Sequence, residues 1–203
     1  MTVLIDHQAR IQNLQKAQGR HNFFLIQHAR KILEDRLSFL SPAGHVVDIL
    51  TLHASENFHK ALADIYASLP LGGVFLGAFF GDKTLWELKE TFLRVEEKMF
   101  GCVTPRFLPL FSPHILIQDL QKKGFKDIVL DQECIACSYK ALDDLYHDLR
   151  SIGETNCLSF RKKGLTSFRF FDQCQALYSE RFKSTEGMLP VTFEIIYLAA
   201  WRV

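Results

Sequence analysis

Two short apolar runs, His45–Leu52 (HVVDILTL) and Val74–Phe80 (VFLGAFF), constrain the fold of this chain more than any other feature. Both have strand length and are apolar at successive rather than alternate positions, as strands covered on both faces are. Helical periodicity surrounds them. Over Asn22–Leu40, residues Phe24, Leu25, Ala29, Ile32, Leu33, Leu37 and Leu40 recur at spacings of three and four, with His28, Arg30, Lys31, Asp35 and Arg36 opposite. Ser41-Pro42-Ala43-Gly44 ends that pattern. A helix over Ser55–Leu69, with Phe58, Ala61, Leu62, Ile65 and Tyr66 inward, stops at Leu69-Pro70-Leu71-Gly72-Gly73. Further helices are expected over Leu85–Phe100, from Ser112 or Pro113 to Gly124, and over Leu142–Ile152 and Phe168–Phe182. Asp127–Ser138 alternates as a half-exposed strand, and Val191–Trp201 reads as a last one. Strands separated by helices of this length predict an α/β fold with mostly parallel pairing.

Charge and thiols narrow the class. Among 203 residues, 24 Lys+Arg stand against 23 Asp+Glu, which excludes nucleic-acid binding by bulk electrostatics. No run approaches the length of a membrane-spanning helix. The N-terminal segment lacks the apolar core of a secretory signal; it carries Arg10, Lys16 and Arg20 but is poor in Ser. Five cysteines read as reduced thiols, so the expected compartment is the cytoplasm, with the mitochondrial matrix as the alternative. The 18 phenylalanines point to an aromatic-rich core or pocket.

Few motifs carry chemistry on their own. Cys134-Ile-Ala-Cys137 is half of a tetrahedral zinc site, but no second CxxC or HxxxH accompanies it. The pair also falls mid-strand, away from the helix starts that lower redox thiol pKa values, so packing and surface thiols are the simpler reading and no metal site is expected. No G-x-S-x-G elbow occurs. No two of the eleven glycines are separated by a single residue, which excludes GxGxxG, and no G-x-x-x-x-G-K occurs. Lys122-Lys123…Lys126 and Arg161-Lys162-Lys163 could meet an acidic partner or be plain solvated surface. His53 follows a buried strand, at the end of an α/β sheet where ligands bind; a loop histidine without catalytic role is the competing reading.

Several ordered motifs then carry a resemblance. They are Asp48-Ile49-Leu50-Thr51-Leu52-His53, the Ala61–Phe80 stretch, Gly81-Asp82-Lys83-Thr84-Leu85-Trp86-Glu87-Leu88, and Pro105-Arg106-Phe107 through Phe111. Asp148-Leu149-Arg150-Ser151-Ile152-Gly153-Glu154-Thr155-Asn156 and Thr192-Phe193-Glu194-Ile195-Ile196-Tyr197 with Trp201 complete the set. Together they resemble the later part of class I S-adenosylmethionine-dependent methyltransferases. The nearer likeness is to the BioC-like group, which includes malonyl-carrier-protein methyltransferases and the methyltransferase-like assembly factor of respiratory complex I. Ala54 departs from the Trp that this group favours. The D-x-G-x-G turn and the first three strands, on the order of 70–90 residues at roughly 30 per βαβ unit, have no counterpart between the leading helices and His45.

The resemblance implies a Rossmann-like sheet truncated to strands equivalent to 4-5-7-6, with N-terminal helices over 1–40 and an α/β domain over 45–203. It implies S-adenosylmethionine as cofactor, with no residue matched to the family's cofactor motif. His53 and Gly77 would lie near the transfer site, and Arg106 with the aromatic loop would receive substrate. Partners would be an acidic carrier protein or a respiratory-complex subunit. The expected function is that of a methyltransferase-like protein impaired in cofactor binding, the alternative an active methyltransferase with a rebuilt or dimeric cofactor site. An apolar fourth strand on the sheet edge would be covered by the N-terminal helices or would pair with a second copy as a homodimer.

Overall fold

A computed structural model describes residues 4–17, 23–55 and 57–203; Arg20, Asn22 and Glu56, which the sequence reading used, lie outside them. Strand β1 (His45–Ile49) runs parallel to β2 (Gly73–Phe80), with His45 opposite Val74 and Ile49 opposite Ala78. Strand β4 (Leu189–Arg202) runs antiparallel to β2, with Gly73 opposite Arg202 and Phe80 opposite Ile195. With β3 (Lys126–Tyr139) outermost on the far side, the order is β1-β2-β4-β3, the order expected of strands 4-5-7-6.

The sheet is mixed rather than mostly parallel. Strand β4 returns antiparallel to β2 after two helices, 142–151 and 168–182, the second joined to it by a turn in which Ser184 N–H donates to Met188 O and Gly187 takes φ 83°. Strand β2 is buried at every position, as its unbroken apolar run requires, and β3 is half-exposed along its whole length.

Helices α1 (His7–Lys16), α2 (Phe24–Phe39), α3 (Phe58–Ser68), α4 (Trp86–Phe100), α5 (Pro113–Lys122), α6 (Leu142–Ser151) and α7 (Phe168–Phe182) complete the described elements. Their starts follow local chemistry. Asp6 accepts from Ala9 N–H at 3.0 Å to begin α1, and Asn57 accepts from Lys60 N–H at 2.9 Å to begin α3. Proline opens α5 at its first turn. Helix α2 buries Leu25, Ile26, Ala29 and Leu33; Phe24, expected on that face, is exposed.

Two compact units result. One gathers described residues of 21–84, 109–134 and 194–203; its core sets Phe75, Phe79, Phe125 and Ile196 against Leu62 of α3 and Leu116 of α5. The other gathers described residues of 1–20, 85–108 and 135–193. Its centre is aromatic: Phe92 meets Phe107, Tyr146 and Phe170 at centroid distances of 5.5, 6.2 and 5.1 Å. Much of the phenylalanine excess thus lies in two cores, while Phe24, Phe39, Phe100, Phe160 and Phe168 are exposed.

Candidate active site

In the sheet-bearing unit, parallel pairing brings the carboxyl ends of β1 and β2 to the same end. After β1 the chain turns at Leu50, which takes a left-handed φ of 52°. Asp48 fixes that turn: its carboxylate accepts from the Thr51 hydroxyl, from Thr51 N–H at 3.3 Å and from Leu52 N–H at 3.1 Å. A short 3-10 turn, Leu52–Ala54, then carries His53 into a buried position, its ring edge-on to Phe80 at 5.3 Å. Gly77 lies in the middle of β2, opposite Asp48. A Cβ there would sit 2.5 Å from the Phe79 ring, so the missing side chain makes room for that ring.

The segment after β2 is locked by a residue to which sequence reasoning assigned no role. Glu194, only 1% exposed, turns its carboxylate toward Gly81–Thr84. It accepts from Lys83 N–H at 3.0 Å and Gln132 Nε2 at 3.1 Å, with Lys83 Nζ 3.8 Å away. The Thr84 hydroxyl donates to Glu194 O at 3.0 Å and accepts from Glu194 N–H at 3.1 Å. A Cβ at Gly81 would stand 2.3 Å from Glu194 Oε2, so any side chain there must displace the carboxylate. The Gly-Asp and Thr-Phe-Glu motifs are thus two halves of one lock, which the buried charge within an apolar strand could have signalled.

In the other unit, Arg106 is clamped. Its Nε donates to Glu96 at 2.7 Å, Nη1 donates to the Thr166 hydroxyl at 3.2 Å, and the guanidinium lies 4.6 Å over the Phe170 ring. Glu96 also accepts from Thr104 N–H at 2.8 Å and from the Thr104 hydroxyl. Burial opposes its ionisation, but the Thr104 hydrogen bonds and then Arg106 prevail, holding the carboxyl below its usual range. Asn156 Nδ2 donates to Pro105 O at 3.0 Å, joining the Asp148–Asn156 motif to the Pro-Arg segment. At Gly153, with φ 80°, a Cβ would stand 3.2 Å from Asn13 O, and Arg10 donates to Gly153 O and Glu154, both at 2.9 Å. His53 and Gly77 thus share one unit, and Arg106 belongs to the other.

Cys134 and Cys137 stand three residues apart on a strand, on opposite faces. Burial, helped by Asp148, pushes the Cys137 thiol up to about 11. Among the described residues no three His, Cys, Asp or Glu side chains gather to hold a metal ion. Lys122 and Arg161 are engaged within their own units, with Asp119 at 3.5 Å and Asp6 at 2.9 Å.

The described residues do not by themselves form a backbone cradle for S-adenosylmethionine. Glycines with left-handed φ (72, 101, 124, 153, 164 and 187) sit at helix ends or before β2, α7 and β4, and none follows a strand. Gly81 does follow β2, but Glu194 fills the space beside it. The left-handed residue after β1 is a buried leucine.

Comparison with known proteins adds kinship. No family model matches the chain. "Arginine-hydroxylase NDUFAF5, mitochondrial" of Mus musculus is 32% identical over 157 residues, covering 77% of this chain and 46% of the relative. Malonyl-acyl-carrier-protein O-methyltransferase of Nitrosospira multiformis is 31% identical over 162 residues, covering 80% of this chain and 50% of the relative. The chain therefore spans about half the length of the curated relatives it matches. Among solved structures, phosphoethanolamine N-methyltransferase 2 of Haemonchus contortus is 15% identical with a TM-score of 0.38, covering 80% of this chain and 34% of that one. No described helix is long and apolar enough to cross a membrane. The expectation of a cytoplasmic location is overturned: the NDUFAF5 relatives from mouse, human, rat and zebrafish are named as mitochondrial. Cysteine usage alone does not choose between cytoplasm and mitochondrial matrix, both of which keep thiols reduced.

Proposed function

From a fold of the S-adenosylmethionine-dependent methyltransferase superfamily that resembles both the malonyl-carrier-protein O-methyltransferases and NDUFAF5, we propose that this chain is the acceptor side of a methyl-transferring enzyme whose cofactor site is completed by a second polypeptide along β1. In the simplest case that polypeptide is a second copy. The observation that most supports this is the state of β1. It is the outermost strand of the described sheet, with Val47 41% exposed, and it holds neither proline nor lysine. Edges meant to stay solitary are blunted by such residues. Its one acid, Asp48, is committed to the turn that follows.

On this reading the acceptor is a group borne by an acidic carrier protein or a respiratory-complex subunit in the mitochondrial matrix. His53 and Gly77 lie on the acceptor side of the transfer site. Arg106 acts as a positioning residue, holding Pro105–Phe107 against the aromatic core through Glu96 and Phe170. Transfer of this kind gains mainly from alignment of the reactants, and the Glu194 and Glu96 locks each fix side chains within their own unit.

The test is intact-mass analysis of malonyl-carrier protein incubated with the folded chain and S-adenosylmethionine. A mass gain of one methylene on the acceptor is expected. No gain, with the protein folded and associated, overturns the proposal. A gain of one oxygen on an arginine substrate would instead favour the chemistry in the name of the NDUFAF5 relatives.

A further inference from the structure

Between buried Cys157 and half-buried Phe171 the chain reads CLSFRKKGLTSFRFF, with four cations and no acid. The whole protein carries a net charge of only +1, so the rest of the sequence is net negative by three. This cationic segment also bears the two most exposed large apolar side chains described: Leu165 at 102% and Phe168 at 89%. Phe160 is 50% exposed.

The base of the segment is fixed. Leu158 and Phe170 are buried at its two ends. Arg161 donates to Asp6 at 2.9 Å and to Leu158 O at 2.8 Å. Thr166 accepts from Arg106, and the Ser167 hydroxyl accepts from Phe170 N–H at 3.4 Å, capping α7. Between these anchors, Lys162, Lys163, Gly164 and Leu165 are all exposed, and a Cβ at Gly164 would meet nothing within 4 Å. The Lys162 ammonium lies 5.5 Å over the Phe100 ring, itself partly exposed.

We propose that this loop docks the protein peripherally on an anionic phospholipid surface. Rigidly anchored apolar tips that project outward, flanked by Lys162, Lys163 and Arg169, suit a soft apolar layer beneath negative headgroups. A folded acidic protein would match the charge, but a knob of this kind would need a preformed apolar pocket to receive Leu165 and Phe168 together. The charge complementarity selects lipids carrying net negative charge over neutral ones. This inference is independent of the transfer chemistry proposed above.

The experiment is co-sedimentation of the full chain with vesicles of equal parts phosphatidylglycerol and phosphatidylcholine, and with phosphatidylcholine alone. Binding to the anionic vesicles is expected, weakened by raised salt and weak on neutral ones. A Lys162→Gln/Lys163→Gln variant should bind about 30-fold more weakly, from about 1 kcal/mol per lysine near the surface. A Leu165→Ser/Phe168→Ser variant should lose at least about tenfold. All four side chains are exposed, so unchanged thermal melts will verify the fold. Absence of binding to anionic vesicles, or equal binding by both variants, overturns the proposal. So does a soluble acidic carrier protein that binds the same loop when vesicles do not.

Discussion

Gly81→Ala tests the lock between β2 and β4. The new methyl would stand 2.3 Å from Glu194 Oε2, 2.6 Å from Cδ and 2.7 Å from Cγ, in a place where Glu194 is almost wholly buried. The carboxylate must move, and in moving it leaves Lys83 N–H and Gln132. Overpacking costs about 1–3 kcal/mol, and loss of hydrogen bonds to a buried charged group about 1.5–3 kcal/mol more. The single change should therefore destabilise by about 4 kcal/mol, lowering Tm by about 8–16 °C at the scaling for chains of this size. Glu194→Ala alone should cost about 3 kcal/mol by stranding Lys83 N–H, yet it empties the space that the Gly81→Ala methyl needs. The double variant should be about 3 kcal/mol more stable than the sum of the singles, a coupling well above the additivity error of about 0.5 kcal/mol. Urea unfolding with unchanged m-values is the assay. Additive losses would refute the lock as the reason for glycine at this position.

Three further outcomes are expected. Arg106→Met should destabilise by about 3–5 kcal/mol, because Glu96 would remain buried without its partner. Glu96 titrates below its ordinary value of 4.5 in the folded state, so its ion pair supports the fold at and above that value, and the support is lost as pH falls through the lower folded pKa. Urea midpoints between neutrality and acid should show that loss in the parent chain and not in Glu96→Gln. Thiol titration at mildly alkaline pH should find Cys102 and Cys134 reacting first; both are exposed, whereas Cys157 is buried and burial pushes buried Cys174 up to about 12. Rapid labelling of Cys174 in the native chain would contradict the packing of α7.

The strands and helices were legible because their signals are local. The unbroken apolar run of β2 and the three-and-four spacing in α2 left little choice, and Phe168–Phe182 matches the residues of α7. Sheet order came with the family likeness, whereas the direction of β4 did not follow from helix-strand alternation. Periodicity marks β4 as a strand but carries no direction, since α6 and α7 separate it from β3 and its antiparallel partner β2 lies earlier still. Site chemistry was less legible. Arg106 reads in sequence as a free cation for substrate, yet Glu96, ten residues earlier, and Thr166, sixty later, hold it. Glu194 was visible as a motif letter, but its partners at 81–84 and 132 come together only in the fold. The compartment was misjudged because thiol state reports redox poise and not address.

The most direct test of the central claim is calorimetric titration with S-adenosylhomocysteine, at protein concentrations spanning self-association measured by sedimentation velocity. Saturable micromolar binding that appears with the associated species, and is lost with Val47→Lys on the outer strand, is the predicted result. Binding by the monomer with unchanged affinity in Val47→Lys would contradict it, as would no binding at millimolar ligand by folded, associated protein.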